Sequence, residues 1–290
     1  MSGTSPGTAA PSADAQRAAR ALFRRARLQR WLGRGDRALA LCRRAVEHAD
    51  YSRAYTLMAQ LSLPGEDYFH VLARIHRYLR PRTYLEIGVS RGDSLKLVGR
   101  DTQVLGIDPQ PHLRSPPPAN VRIYRETSDD FFAKFDPRAE LEGAPVELAF
   151  IDGLHRFEYA LRDFLNVERA CSPSSVILIH DCYPLDERTA QREQVTGFWS
   201  GDVWRLLLLL RTQRPDLTVR TIAAPPTGLG IVLNPDPGSC VLSRRLEELT
   251  AEYLAKDFSV LAAAGQARAL GLIENRWSAI RALLDTRPLR

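Results

Sequence analysis

Only three of the 290 residues are lysine, and the four cysteines (Cys42, Cys171, Cys182 and Cys240) include no C-x-x-C pair. That spacing speaks against a disulfide framework and against a thiolate zinc site. Reduced thiols in a cytoplasm are the expectation. Long apolar runs are missing too: the longest, Leu206 to Leu210, falls far short of the roughly 20 residues of a membrane-crossing helix. Met1 to Ser12 is rich in Gly, Ser, Thr, Pro and Ala without an apolar stretch, so it does not read as a secretory signal. What is present, 44% hydrophobic and 26% charged residues, excludes a disordered or fibrous chain. The length suits a catalytic domain with a smaller appendage.

The net charge of +6 is unevenly spread. Residues 1–80 hold 14 Arg against six Asp or Glu, whereas the rest of the chain is slightly acidic. Positive charge thus belongs to the front segment. A basic face there could attract an acidic partner through its long-range field, but solvated helix faces explain it more simply. Nucleic acid is not an expected partner.

From Ala15 to about Arg80 the apolar spacing is helical. One stripe runs through Ala18, Ala21, Leu22, Leu28 and Leu32, a second through Ala38, Leu41, Cys42, Ala45 and Val46, and a third through Ala54, Leu57, Met58 and Leu61. Gly33 and Gly35 separate the first two, with Asp36 placed to cap the second helix. Residues 26–61 resemble one degenerate tetratricopeptide unit. A lone repeat must bury its apolar face elsewhere, on the same chain, a second subunit in a homo-oligomer, or another protein.

After Pro81 strands and helices alternate. Strands are expected at Thr83 to Gly88, Gln103 to Asp108, Val121 to Arg125, Val146 to Asp152, Ser175 to Asp181, Leu217 to Ala223 and Leu229 to Leu233. Helices are expected at 93–100, 129–135, 156–170 and 202–213. This pattern implies an α/β fold, a doubly wound, Rossmann-like and mostly parallel sheet covered on both faces. The link Ala224-Pro225-Pro226-Thr227-Gly228 is too short for a helical crossover, so the last strand is expected antiparallel to its neighbour. The organisation read from the chain is a disordered tail at 1–14, a small all-α segment at 15–80, the α/β domain at 81–240 and C-terminal helices at 241–290.

In a doubly wound sheet ligands sit beyond the carboxyl ends of the strands. The first such turn carries Glu86, Gly88 and Gly92, spaced E-x-G-x-x-x-G. Glycines there allow close backbone approach and a tight turn. A dinucleotide fingerprint would need glycines at 88, 90 and 93, where Ser90 and Asp93 interrupt it, and no P-loop lysine follows. A phosphate-free nucleoside fits better. The second strand ends at Asp108, whose carboxylate can accept from both ribose hydroxyls. The third is followed by Ser128 and Asp129, the fourth by Asp152-Gly153-Leu154-His155, and the fifth ends in His180-Asp181.

Taken in order, these motifs resemble the class I S-adenosylmethionine-dependent methyltransferases over residues 80–235. I-D-G-x-H with H-D is similar to a bacterial subgroup of small-molecule and sugar O-methyltransferases. The resemblance implies S-adenosylmethionine as cofactor, with Glu86, Gly88 and Gly92 at its amino-acid end, Asp108 on the ribose, Ser128 and Asp129 at the adenine, and Asp152 beside them. Residues 128 and 129 could equally cap the next helix, and Glu86 could hold its turn by accepting backbone N–H bonds.

Methyl transfer to an alcohol also requires loss of the hydroxyl proton, and two devices could serve. Asp152, His180 and Asp181 could bind Mg²⁺ or a similar divalent metal, although His180 departs from the oxygen-rich set of related enzymes. Alternatively, His155 or His180 acts as general base beside a carboxylate such as Asp152. Trp199 and Trp204, in or after the long segment 184–201, could stack on the acceptor or pack as core. The expectation is a cytoplasmic O-methyltransferase acting on a small molecule or glycoside. A non-methylating, hydroxylase-like enzyme on the same scaffold, or a binding protein with a vestigial site, are the alternatives.

Overall fold

A computed structural model describes residues 12–288. Nearly all of the expected tail, residues 1–11, lies outside the described residues, while the chain is already helical from Ala13, with the Ser12 hydroxyl capping the first turn. Helices α1 (Ala13–Trp31), α2 (Gly35–His48) and α3 (Ser52–Ser62) bury Ala19, Leu22, Ala26, Cys42, Ala45, Val46, Ala54, Tyr55, Leu57 and Met58 against one another. Gly33, at φ +71°, turns the chain between α1 and α2. The Asp36 cap does not form: Arg34 precedes the helix without a side-chain cap, and Asp36 lies inside the first turn, where its charge suits the helix dipole.

Helix α4 (Tyr68–Leu79), capped by Asp67, belongs elsewhere. Its Val71, Leu72, Ile75 and Leu79 pack on the sheet with Tyr84, Val104, Leu148, Phe150 and Leu178. The remaining elements are, in order, β1 (Thr83–Ile87), β2 (Gln103–Ile107), β3 (Val121–Tyr124), α5 (Ser128–Lys134), α6 (Pro137–Glu140), β4 (Val146–Ile151), α7 (Phe157–Ala170), β5 (Cys171–His180), α8 (Trp204–Gln213), β6 (Thr218–Ile222), β7 (Leu229–Leu233), α9 (Leu246–Leu254), α10 (Ser259–Ala264), α11 (Gln266–Ala269), β8 (Leu272–Ile273) and α12 (Trp277–Leu284).

The strands form one sheet in the order β3-β2-β1-β4-β5-β7-β6-β8. Strands β1 to β5 pair in parallel, and β7 runs antiparallel to both β5 and β6, as the short proline turn implies. Alternate residues face opposite sides, the period-2 signature of a strand. Leu85, Ile87, Ile151 and Ile179 meet α5, α7 and α8, while Tyr84, Phe150 and Leu178 meet α4 and α12. Each such fully buried side chain contributes about 1.5–3 kcal/mol.

Two expected helices differ. Residues 93–100 form only a 3₁₀ turn at Ser94–Leu97, because Gly92 and Gly99 bound too few residues to sustain a helix; α4 covers that face instead. The C-terminal helices are interrupted by β8, which pairs parallel to β6 at Thr221 and Ile222. Gly271, at φ +63°, reverses the chain into it. Among the described residues no helix is long and apolar enough to cross a membrane.

Candidate active site

The pairings Ile87↔Ile107, Ile87↔Ile151 and Ile151↔Ile179 bring the carboxyl ends of β1, β2, β4 and β5 level. The residues that follow, Gly88, Asp108, Asp152 and His180, therefore share one rim. Because β2 and β4 flank β1 on opposite sides, a crevice opens there.

Gly88 has φ +89°, and a Cβ on it would lie 2.0 Å from the Asp152 carbonyl oxygen. Its lack of a side chain thus lets the β1 loop press against the β4 loop. Gly92, at φ +70°, sits with its Cα facing Leu113 and is absent from the lining of both cavities at this rim. Its positive φ gives it a turning role in the loop. Asp108 joins two loops: its Oδ2 accepts from the Ser90 N–H at 2.7 Å and its Oδ1 from the Gln110 N–H at 2.8 Å. Asp108 also lines the cavity in this crevice. Glu86 does not hold its turn through backbone amides. It is buried, accepting from the Tyr84 hydroxyl at 2.9 Å and from the Ser94 hydroxyl. Burial pushes its carboxyl up to about 8, against those two hydrogen bonds.

A cavity of about 960 Å³ occupies the crevice. On the β2–β3 side it is lined by Asp108, Thr127, Ser128, Asp129 and Asp130, and on the β4–β5 side by Asp152, His155, His180, Asp181 and Trp199. The cap of α5 is Thr127, whose hydroxyl accepts from the Asp130 N–H; this frees Ser128 and Asp129 from the capping role. Asp129 is instead held by Arg162 through two hydrogen bonds of 2.8 and 2.7 Å. Tyr159 and Asp163 of α7 complete the lining. Neither stood out in sequence, although an acid in the apolar stripe Phe157, Ala160, Leu161 and Phe164 is a recognisable anomaly. Burial drives the Asp163 carboxyl up to about 7, opposed by a hydrogen bond from Ser128. A second cavity of about 540 Å³ shares Gly88, Ser90 and Asp152 with the first and reaches Tyr68, Glu86 and Ser94. Trp204 is fully buried in α8, which settles it as core.

At the β4–β5 side four titratable groups converge. His180 is buried, with Nδ1 3.2 Å from Asp152 Oδ1 and 3.1 Å from Asp181 Oδ2. Its Nε2 lies 3.4 Å from Thr227 Oγ1, and the Tyr68 ring covers it at 4.0 Å between centroids. His155 Nε2 stands 3.0 Å from Asp181 Oδ2 and 3.7 Å from Asp152 Oδ1. Its Nδ1 is buried with no partner in the protein. Burial disfavours the imidazolium at both histidines, yet Asp181 and Asp152 outweigh it, raising His155 and holding His180 well above the ordinary value. Burial likewise disfavours the charged Asp152, and the two imidazoles overcome it, keeping that carboxyl at about 2.

The donor set able to converge on one cation is Asp152, His155 and Asp181, with ligand atoms within 4.8 Å of one another. The expected set has His180 where this grouping has His155. His180 lines the same cavity, with its Nδ1 shared between the two carboxylates.

An open sheet of this strand order, with a penultimate antiparallel strand beside β5 and its crevice beyond β1, β2 and β4, is the class I methyltransferase architecture. Residues 85–182 match the family described as a methyltransferase domain. Among curated proteins none matches the chain. Solved structures of similar fold include the O-methyltransferase TomG from Streptomyces achromogenes, in complex with SAM, at 16% identity and TM-score 0.43, covering 58% of this chain and 79% of that one. An O-methyltransferase from Bacillus cereus, in complex with SAH, is 15% identical with TM-score 0.42, covering 60% and 84%. The SAH-bound Podospora anserina methyltransferase PaMTH1 is 16% identical with TM-score 0.43, covering 58% and 78%.

Proposed function

We propose that the chain transfers a methyl group from S-adenosylmethionine to a hydroxyl oxygen of a small molecule, in the cytoplasm. What carries this reading is one cavity that holds a ribose-type acceptor carboxylate, Asp108, on one side and an imidazole between two carboxylates on the other. Asp108 would accept from the ribose hydroxyls with its remaining lone pairs. Ser128 and Asp163 would face the adenine, and the second cavity, with Glu86 and Ser94, would take the amino-acid end.

The cavity lining contains Asp108, Asp129, Asp130, Asp152 and Asp181, with Asp163 held protonated up to about pH 7 by burial, against His155 and His180 and neither lysine nor arginine, so acidic groups are in excess. Such a field draws in a cationic sulfonium and repels a phosphorylated or carboxylated acceptor. The acceptor is therefore neutral or cationic, which includes glycosides and phenols and leaves out nucleotides and acyl-coenzyme A.

In the transfer, the acceptor oxygen attacks the methyl carbon in line with the C–S bond. That bond breaks with its electron pair on sulfur, and the hydroxyl proton moves to His155, which enters the step as the neutral imidazole and leaves it with Nε2–H donating to Asp181. Asp181 and Asp152 favour the imidazolium so formed. Holding oxygen and carbon in near-attack geometry is the protein's larger contribution. Two carboxylates and one imidazole also suit a divalent ion that tolerates nitrogen; Asp152, His155 and Asp181 would hold it, and when bound it supplies Lewis-acid activation of the hydroxyl. Proton and ion then compete for the same atom, His155 Nε2.

Titration calorimetry with S-adenosylhomocysteine and with NAD tests the cofactor assignment. The expected result is binding of the former only, weakened about 10- to 100-fold by Asp108→Ala, on the scale of about 1.5–3 kcal/mol for hydrogen bonds to a charged group. Unchanged affinity in that variant overturns the ribose role, and binding of NAD instead overturns the cofactor. Transfer of a labelled methyl to a panel of neutral phenols, glycosides and phosphorylated alcohols then tests the acceptor class.

A further inference from the structure

We infer that helices α1–α3 are a built-in clamp on the segment 185–201, and that by fixing Trp199 they form a positioning part of the cavity at the carboxyl end of β4. The inference rests on the transfer reading only in naming that cavity wall the acceptor's. A lone helical repeat has an apolar face to cover, and here part of the cover, on the side of α2 and α3, comes from the same chain. Leu185 and Phe198 join the core of α1–α3, with Phe198 stacked on Tyr55 at 5.6 Å between centroids and 16° between planes. Polar contacts fix the approach: Asp50 Oδ2 accepts from the Gly197 N–H at 2.7 Å, and the Val46 carbonyl accepts from Arg188 at 3.0 Å. A Cβ at Gly197 would lie 3.1 Å from the Ser52 hydroxyl, so glycine lets the two surfaces close.

Three residues beyond Phe198 the same segment is tied to the other body. Gly201, at φ +63°, leaves no room for a side chain, since a Cβ there would lie 1.8 Å from the His155 carbonyl oxygen. The Asp202 N–H donates to that oxygen at 3.2 Å, and Asp202 Oδ1 accepts from the Phe157 N–H at 2.7 Å. Trp199 is thus strung between an anchor on α3 and an anchor on the His155 loop. Its ring lies 5.3 Å from that of His155, at 31°, and forms part of the cavity wall. Two fixed ends so close together leave the indole little freedom, and only one of them belongs to the sheet domain.

The test uses the full chain with S-adenosylhomocysteine as probe. Amide exchange over residues 189–201 should rise about fivefold to tenfold in Asp50→Ala, the scale of one lost hydrogen bond, with exchange in β1, β4 and β5 unchanged. Asp50→Asn, whose amide oxygen still accepts from Gly197, should restore protection. Acrylamide quenching of Trp199, obtained by difference from Trp199→Phe, should increase in Asp50→Ala and in Phe198→Ala and return to normal in Asp50→Asn. Affinity for S-adenosylhomocysteine should stay within about twofold, because the clamp holds the opposite wall from Asp108. Unaltered exchange and quenching in both Asp50→Ala and Phe198→Ala overturn the clamp. Failure of the wild-type chain to bind S-adenosylhomocysteine overturns the transfer reading alone and leaves the exchange result intact.

Discussion

Asp163→Asn should stabilise the protein in a pH-dependent way. The carboxyl is 3% exposed, its Oδ1 has no partner, and its pKa is raised from 3.8 to about 7. Below about pH 4 the group is protonated both folded and unfolded, and no penalty arises. Between about pH 4 and pH 7 the unfolded chain releases the proton while the folded one retains it, so wild-type stability falls as pH rises; above that range the penalty is complete. A shift of roughly three units corresponds to about 4 kcal/mol. The amide of Asn must place its N–H₂ where Oδ1 has no partner, at a cost of about 1–3 kcal/mol, so a net gain of about 1–3 kcal/mol is expected near pH 8. For a domain of this size that is on the order of 3–10 °C in Tm. Thermal unfolding of both proteins without cofactor, at intervals from about pH 4.5 to pH 8.5, gives the difference directly. Glu86, which is raised in the same direction, is common to both and cancels. A gap between variant and wild type that stays flat across this range refutes the reasoning, as does a wild type that is the more stable at pH 8.

Gly88→Ala should cost more than about 3 kcal/mol, from backbone strain and a clash together. Gly143→Ala should cost only about 1 kcal/mol, because it has nearly the same φ, +88°, but nothing within 4 Å of the added Cβ; equal urea midpoints for the two would remove the loop-to-loop contact as the reason for glycine at 88. Arg214 is 1% exposed and forks onto buried Glu168 at 2.9 Å twice. Arg214→Ala should lose about 3–5 kcal/mol by stranding that carboxylate, and Arg214→Met with Glu168→Leu should lose less; a double variant as unstable as the single one in urea denaturation contradicts this. Mn²⁺ should raise the Tm of the wild type, by about 2.7 kcal/mol of stability at 100 times its Kd, and should not do so in His155→Ala. A shift retained in that variant would return the nitrogen ligand to His180.

Strand ends and rim carboxylates were legible because they depend on local pattern: a β-branched run closing on a polar residue places that residue at the rim whatever surrounds it. Asp108, Asp152 and Asp181 follow from that rule alone. The distinction between His155 and His180 does not, since it is made by Tyr68 from α4 and Thr227 from the β6–β7 turn, neither of which is near in sequence. The shift of the α5 cap from residue 128 or 129 to Thr127 reflects how alike consecutive Thr, Ser and Asp are as caps. The segment around Ser94–Leu97 has the apolar spacing of a helix, but Gly92 and Gly99 bound it too closely for one to propagate. The covering of α1–α3 by Leu185 and Phe198 joins segments far apart in the chain, and periodicity carries no record of such contacts.

The departure of His180 from an oxygen-rich metal pattern has an electrostatic reason. Two carboxylates on neighbouring strand ends, with buried surroundings, would repel each other strongly if left bare. An imidazolium enclosed between them, 3.2 and 3.1 Å away, supplies fixed positive charge that does not depend on a bound ion. Asp152 can then remain ionised beside the β1 loop, where the close packing of Gly88 on its backbone holds it in place. On the transfer reading this matters at the end of the reaction as well as at the start. A sulfonium is attracted by the acidic lining, but once the methyl group has left, the sulfur is neutral and that attraction is gone. The same acidic lining that favours the reactant therefore favours release of the product, so the cavity's charge acts on the difference between the two rather than on binding as a whole.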